Sequence, residues 1–202
     1  MRLAMASPRL GRGAALLAAA LALVLPAAAR AADIEAGRQK AEICAACHGA
    51  NGVSEEPTLP SLAGQQARYI VIALYQFRAG NRKSEQMGPV TAELSDDDLG
   101  DLAAYYASLT PWSPHHQSDP EKAGAAQHLA VQDHCVQCHG PAFAGQEHIP
   151  RIAGQSVGYL RTQLQGFKAS TRGDIDGLMT SAAQELSDAD IDRLADYIAG
   201  LP

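Results

Sequence analysis

The sequence predicts an all-α protein made of two consecutive copies of one unit, and three observations lead to this prediction. Apolar residues recur at helical spacing, for example at Leu99, Leu102 and Tyr106. No alternating strand pattern is longer than a few residues. Landmarks of the first half also return in the second half in the same order, 87 to 92 residues later.

The repeated landmarks define two domains. Residues 44–49 (CAACHG) return as 135–140 (CVQCHG), and residues 60–65 (PSLAGQ) return as 150–155 (PRIAGQ). A proline-rich stretch between the copies cannot continue a helix and indicates a short linker. The expected boundaries are a first domain at 32–109, a linker at 110–120 and a second domain at 121–202.

Residues 1–31 have the layout of a secretory signal peptide. A basic start precedes an apolar run of twelve residues, 14–25, which is too short to span a bilayer comfortably. The small-residue stretch that follows contains 29–31 (ARA), a fitting cleavage site that would start the mature chain at Ala32, with 27–29 as a nearby alternative. We therefore expect an exported protein with at most peripheral membrane attachment.

The charge balance excludes some classes of partner. The full chain has 16 basic and 22 acidic residues, and loss of four arginines with the signal peptide leaves 12 against 22, a net charge of −10. Such a protein is a poor candidate for binding nucleic acid and suits a partner with a basic docking face. Residues 32–112 and 113–202 each carry 6 basic and 11 acidic side chains, so net charge does not distinguish the halves.

Three helices are expected in each half. The last begins after a serine cap with an acidic residue three positions later, at Ser95 and again at Ser187. A middle helix is expected at roughly 66–78 and again at roughly 156–168, and another helix leads into each cysteine motif. A half of about 85 residues with long loops forms little apolar core, which favours a bound group around which the helices pack.

The four cysteines lie in two Cys-x-x-Cys-His motifs, a pattern typical of covalent haem c attachment. The two thiols add to the haem vinyl groups, and the adjacent histidine reaches the iron from the same backbone turn. The motifs therefore predict two haem c groups. The attaching thiols would be those of Cys44, Cys47, Cys135 and Cys138, with His48 and His139 as axial ligands.

Other uses of the cysteines fit the sequence less well. A four-cysteine zinc site conflicts with the 87 residues that separate the two pairs. A thioredoxin-like redox motif would require a βαβ context, and simple disulfides would not require a histidine after each second cysteine.

Met87 and Met179 are the candidates for the second axial ligand. Residues 32–112 contain one histidine and one methionine, and Met179 stands at the place equivalent to Met87. Both methionines lie in polar stretches that we expect to be free of helix, where we do not expect a role in the apolar core to occur twice. His128 and His148 remain competitors of Met179. Methionine ligation would fill both axial positions, which favours an electron carrier over an enzyme.

These features together resemble the cytochrome c4 family, periplasmic dihaem carriers made of two class I cytochrome c domains. The resemblance covers essentially all of the mature chain and rests on both haem motifs, on the repeated segments 60–65 and 150–155, and on the spacing of each methionine from its cap serine. It implies that the carbonyl groups of Pro60 and Pro150 accept hydrogen bonds from the iron-binding imidazoles.

The resemblance also implies a helix crossing in each half. Gly37 would contact Tyr105 where the first and last helices meet, and Gly124 would contact Tyr197 in the same way.

The implied function is electron transfer in the periplasm, from a quinol-oxidising cytochrome bc complex to a terminal oxidase, without enzymatic activity of its own. The alternative is a dihaem subunit of a periplasmic redox enzyme such as flavocytochrome sulfide dehydrogenase. A dihaem peroxidase fits less well because it would need an open or displaceable axial position.

Overall fold

The computed structural model describes residues 30–202, which form helices joined by loops and no β-strand. Between Gln146 and Ile149 there is one isolated β-bridge. The predicted all-α class is confirmed. The expected signal peptide at 1–31 lies outside the described residues except for its last two positions. Within the described range, no helix is long and apolar enough to cross a membrane.

The same order of helices occurs in both halves. The first half contains α1 (Ile34–Lys40), α2 (Ala45–His48), α3 (Ala67–Arg78), α4 (Met87–Thr91) and α5 (Asp96–Ser108). The second half contains α6 (Pro120–Gln132), α7 (Cys135–His139), α8 (Val157–Lys168), α9 (Leu178–Gln184) and α10 (Asp188–Ala199).

The last helix of each half is the centre of its packing. Helix α5 packs against α1 and α3, and α10 packs against α6 and α8. Both begin with a capping box, in which the serine hydroxyl and the acidic side chain three residues later accept hydrogen bonds from each other's backbone N–H groups. The expected apolar faces are buried: Leu99, Leu102, Ala103 and Tyr106 in α5, and Ile191, Leu194, Ala195 and Ile198 in α10.

The sequence suggested that the stretches around the two methionines are free of helix, but both contain a short helix. Met87 begins α4 and Met179 is the second residue of α9. The Met87 N–H donates to Ser84 Oγ at 3.1 Å, and the Met179 N–H donates to Asp174 Oδ2 at 2.8 Å. Polar residues that indicated a loop are therefore the side chains that hold the first turn of a short helix.

Gly37 lies where α1 crosses α5. A Cβ atom at this position would clash with the backbone carbonyl of Asp101 and lie 2.9 Å from the Cβ of Tyr105. The backbones of the two helices can approach this closely only because residue 37 has no side chain.

The corresponding expectation for Gly124 is wrong. Gly124 is exposed, and no atom lies within 4 Å of the position that a Cβ would take. The buried residues of α6 are Ala126 and Ala130, which precede Cys135 by nine and five residues. Gly37 and the buried Ala41 precede Cys44 by seven and three. The second half therefore has two additional residues before its motif, and Ala126 is the counterpart of Gly37.

The segment between the halves packs on the second half. Residues 110–119 form no helix, and Pro120 is the first residue of α6, where its missing N–H would have no partner in any case. Trp112 is buried, and the guanidinium carbon of Arg151 lies 5.4 Å from the centre of its ring. A Cβ on Gly154 would come within 2.9 Å of Trp112 Nε1.

The difference between the two glycines gives a direct test. We expect Gly37→Ala to lower the free energy of unfolding by about 1–3 kcal/mol, because the added methyl group has no space against α5. Gly124→Ala is the matched control, and it should raise stability by about 0.5–1 kcal/mol because it replaces an exposed glycine inside a helix. Denaturant unfolding of the haem-bearing protein, followed by far-UV circular dichroism, measures both. Equal effects of the two substitutions would contradict the assignment of the crossing point.

Candidate haem-attachment sites

Each cysteine motif forms one turn of helix. The His48 N–H donates to the Cys44 carbonyl at 2.9 Å, and Cys135 to His139 form α7. Residues three and four apart on a helix are neighbours on one face, so each turn brings both thiols and the histidine to the same side. In both motifs the first cysteine is partly buried and the second is exposed, and no disulfide joins them.

The motif histidines are buried and held by a proline carbonyl. His48 Nδ1 lies 2.8 Å from the carbonyl oxygen of Pro60, and His139 Nδ1 lies 3.0 Å from that of Pro150. A carbonyl oxygen can only accept, so Nδ1 is the donor and carries the proton. The second ring nitrogen, Nε2, therefore has the lone pair that a metal requires.

The surroundings keep both imidazoles neutral. Burial lowers the pKa of His48 and of His139, and it outweighs the opposing effect of the hydrogen bonds to Pro60 and Pro150. A neutral imidazole is the form that binds iron, so burial favours the ligand-competent state of each histidine.

The first thiol of each motif does not have the property of a redox-active nucleophile. Burial raises the pKa of Cys44 and of Cys135, which favours the protonated thiol at neutral pH, whereas thiol–disulfide exchange requires the thiolate. Among residues 30–202, no group of three or more His, Cys, Asp or Glu side chains is arranged to hold a metal ion. Neither observation favours the thioredoxin-like or the zinc interpretation.

The two methionines are partly buried at the start of their helices. Asp174 holds the second one: besides the Met179 N–H it accepts a hydrogen bond from the Thr180 hydroxyl at 2.9 Å. Burial raises the pKa of Asp174, but its hydrogen bonds with the Met179 N–H, with Asp176 and with Thr180 outweigh this effect and hold the pKa below its ordinary value. The backbone at Met179 is thus anchored by an ionised carboxylate.

The competing histidines have other surroundings. His128 is exposed on α6. His148 is partly buried, and its Nε2 lies 3.9 Å from a carboxylate oxygen of Asp176.

The interface between the halves contains residues whose roles were not predicted from the sequence. The buried side chains of Gln65 and Gln155 each bond to the backbone of the opposite half, Gln65 to Arg151 and Gln155 to Ser61. Both glutamines end the repeated Pro-x-x-Ala-Gly-Gln segment, and this repetition is the signal that could have identified them.

Two arginines, Arg82 and Arg172, also cross the interface. Arg82 donates to the Tyr159 hydroxyl at 3.1 Å, and Arg172 donates to the Tyr69 hydroxyl at 3.3 Å. The two arginines are 90 residues apart, as are the two tyrosines, so the repeat offset could have revealed the exchange. Burial raises the pKa of Tyr69, but the positive charge of Arg172 and then of Arg82 lowers it below its ordinary value.

Comparisons with known proteins agree with this geometry. The family model described as cytochrome c matches the chain twice, at residues 34–110 and 123–202. Cytochrome c4 of Thiocapsa roseopersicina is 40% identical over 187 residues, which is 87% of this chain and 96% of that protein. A thiosulfate dehydrogenase electron acceptor of Stutzerimonas stutzeri (strain A1501) is 34% identical over 202 residues, 92% of this chain and 94% of that one.

A solved structure shows the same architecture. The crystal structure of reduced recombinant cytochrome c4 from Pseudomonas stutzeri aligns with a TM-score of 0.79 at 35% identity, and covers 85% of this chain and 100% of that one. Two matched cytochrome c domains and two attachment motifs indicate two covalently bound haem c groups. The chain therefore belongs to the cytochrome c4 family of dihaem electron-transfer proteins.

Proposed function

We propose that this protein is a periplasmic electron carrier whose two haem irons have His/Met ligation. Cys44 and Cys47 attach the first haem, and Cys135 and Cys138 attach the second. The observation that carries the proposal is the geometry shared by the two histidines. Both rings are buried, and in each ring Nδ1 is hydrogen-bonded to a proline carbonyl. His48 and His139 are thereby oriented as iron ligands through Nε2. Bound haem supplies an iron that alternates between the ferric and ferrous states.

Two arginines at the interface between the halves, Arg82 and Arg172, are suited to bind the carboxylate groups of haem. Arg82 and Arg172 bond to tyrosine hydroxyls and to Gln163 Oε1, but Arg172 Nε is a buried donor without a hydrogen-bond partner, and within the part of the chain that the structure describes no carboxylate pairs with either arginine. A positive charge that is partly removed from water without a carboxylate partner is unfavourable. The haem propionates are acceptors of the required charge, so these arginines are suited to bind them.

The apolar core supports the same proposal. In the first half the main buried cluster consists of five residues, Ala41, Ile70, Leu102, Ala103 and Tyr106. A domain of about 80 residues rarely becomes stable with so small a core, and a large apolar group at its centre would supply the missing contacts. We propose that residues 32–109 and 121–202 each enclose one haem in this way, with 110–120 as the linker.

Methionine is the best candidate for the remaining axial position in each half. Met87 and Met179 lie in the first turns of short helices, and these turns are fixed by Ser84 and Asp174. The exposed His128 and the carboxylate contact of His148 make these histidines weaker candidates. With both axial positions filled, neither iron would have an open site for substrate, which supports a carrier rather than an enzyme.

The proposed route leads from a quinol-oxidising cytochrome bc complex to a terminal oxidase. The mature net charge of −10 suits basic docking faces on both partners. Export by the proposed signal peptide at 1–31 would place the protein in the periplasm together with these partners.

A second candidate function is that of electron acceptor for a thiosulfate dehydrogenase. The specific observation is a relative of that name that is 34% identical and that this chain matches over nearly its whole length. This candidate belongs to the same class as the alternative expected from the sequence, a dihaem partner of a periplasmic redox enzyme.

Two reduction assays on the protein purified from its native host distinguish the two functions. The oxidised protein would be mixed with native membranes plus quinol, and separately with the periplasmic fraction plus thiosulfate, and reduction of its haems followed by absorbance. The carrier function predicts rapid reduction only in the first mixture. Reduction that depends on thiosulfate would instead establish the second candidate.

The haem load is a direct prediction. The exported protein should have the intact mass of the mature chain plus two haems, because both motifs are complete and both histidines are held for iron binding. Denaturing mass spectrometry measures this, since thioether links survive unfolding. A Cys138→Ser variant is the control, and any haem missing from its intact mass should be missing from the second half. A mass with one haem, or with two disulfides, would contradict the proposal.

Substitution of either axial methionine tests the proposed ligands. In the ferric protein, methionine ligation gives a weak far-red absorption band, and Met87→His or Met179→His should each remove about half of it. The potential of the affected haem should fall, because methionine ligation raises the potential. Redox titration measures the second effect, with the other haem as internal control. If Met179→His changed neither property, His128 or His148 would become the second-half ligand.

A further inference from the structure

Two peptide groups connect the iron-binding histidines to the interface between the halves. The proximal peptides, as we call them, are Pro60–Ser61 and Pro150–Arg151. In the first, the Pro60 carbonyl accepts from His48 Nδ1 at 2.8 Å, and the N–H of the same peptide, on Ser61, donates to Gln155 Oε1 at 3.0 Å. Each proximal peptide is thus hydrogen-bonded at both ends.

The second proximal peptide repeats the arrangement in the opposite direction. The Pro150 carbonyl accepts from His139 Nδ1 at 3.0 Å, and the Arg151 N–H donates to Gln65 Oε1 at 2.8 Å. Each histidine is therefore linked, through one peptide group, to a glutamine of the other half.

Each glutamine makes two further hydrogen bonds. Gln155 Oε1 also accepts from the Ser156 N–H at 3.2 Å, and Gln65 Oε1 also accepts from the Gln66 N–H at 2.9 Å. Gln155 Nε2 donates to the Ser61 carbonyl at 3.0 Å, and Gln65 Nε2 donates to the Arg151 carbonyl at 2.8 Å. Both side chains are buried, with exposed fractions of 3% for Gln155 and 4% for Gln65. In this dry environment the amide groups have a fixed orientation, and hydrogen bonds are electrostatically stronger than in water.

We propose that Gln65 and Gln155 are positioning residues, each of which tunes the haem of the opposite half through its proximal peptide. The inference rests on the proposed ligation by His48 and His139. A peptide whose N–H donates a hydrogen bond is polarised, and its carbonyl becomes a stronger acceptor. A stronger acceptor at Nδ1 makes the imidazole a more basic ligand, which stabilises the ferric state and lowers the potential.

The proposal predicts that substitution of each glutamine affects only the histidine and haem of the opposite half. Removal of the Gln155 amide should weaken the hydrogen bond of His48, in the other half, and leave His139 unchanged. Removal of the Gln65 amide should do the reverse. A glutamine that only held the halves together would affect both haems to a similar degree, because loosening the interface exposes both sides.

A neighbouring contact provides the matched control. The Gln66 side chain also crosses the interface, where its Nε2 donates to the Ala144 carbonyl at 3.0 Å, but it lies at the partly exposed rim and touches neither proximal peptide. The Gln66 backbone N–H donates to Gln65 Oε1 at 2.9 Å, and a substitution of the side chain retains this bond. Gln66→Met therefore removes an interdomain hydrogen bond of similar length without changing the polarisation of either peptide.

The experiment uses the full dihaem protein with Gln155→Met, Gln65→Met and Gln66→Met. In the ferrous state, nitrogen-15 NMR resolves the Nδ1–H groups of His48 and His139, and redox titration gives the two potentials. We expect Gln155→Met to shift the His48 Nδ1 proton upfield and to raise the potential of the first haem alone. Gln65→Met should do the same to His139 and the second haem, and Gln66→Met should change neither.

Two further measurements separate the possible failures. Gln155→Glu retains an acceptor for the Ser61 N–H, so the His48 proton should not move upfield in this variant even if the interface is weakened. Equal shifts of both histidines, or no shift of either, would overturn the inference. If the wild-type ring protons of His48 lacked the large upfield shift of an iron-bound imidazole, the proposed ligation itself would be wrong.

Discussion

The hydrogen bond between a histidine ring and a proline carbonyl, made once in each half, is the contact on which the rest of the structure depends. It ties the short motif helix to the loop that leads into α3 or α8. The same loop is anchored to the last helix, because the Gly64 N–H donates to the Tyr106 carbonyl at 2.8 Å and the Gly154 N–H donates to the Ile198 carbonyl at 2.9 Å. Each imidazole is thus held by the packing of the whole half, and a fixed ring is what a constant iron ligand requires.

The duplication has kept this contact while other parts of the two halves have diverged. The second half has two additional residues before its motif, and His134 there takes a left-handed conformation with φ of 62°. Gly37 lies at the crossing of the first and last helices in one half, and its counterpart by position in the other half is the buried Ala126. Ser84 in one half and Asp174 in the other anchor the methionine turns. These differences lie away from the two histidine–proline contacts, so the changes in backbone length and in the anchoring side chains leave the histidine contact in place.

The sequence predicted features that depend on local chemistry and left out those that depend on tertiary contact. Helix caps at Ser95 and Ser187 follow from hydrogen bonds within four residues, and the all-α class follows from helical periodicity. The prediction for Gly124 failed because exposure depends on which face of α6 meets α10, and two inserted residues rotate that face. The helices at Met87 and Met179 were missed because Ser84 and Asp174, which anchor their first turns, lie in segments with the composition of a loop. From the sequence, Gln65 could be identified only as part of a repeat, because its partner, Arg151, is 86 residues away.

The polar character of the interface has a structural consequence of its own. An apolar patch tolerates sliding, since dispersion contacts are similar in many registers. A carboxamide that donates and accepts at one peptide fits in one orientation, and an error would leave buried polar groups without partners at a cost of about 1–3 kcal/mol each. Gln65 and Gln155 impose this requirement from both sides, and Arg82 and Arg172 add to it. The two halves therefore have one specified docking geometry, and electrons can pass between two redox centres at a constant rate only if that geometry persists.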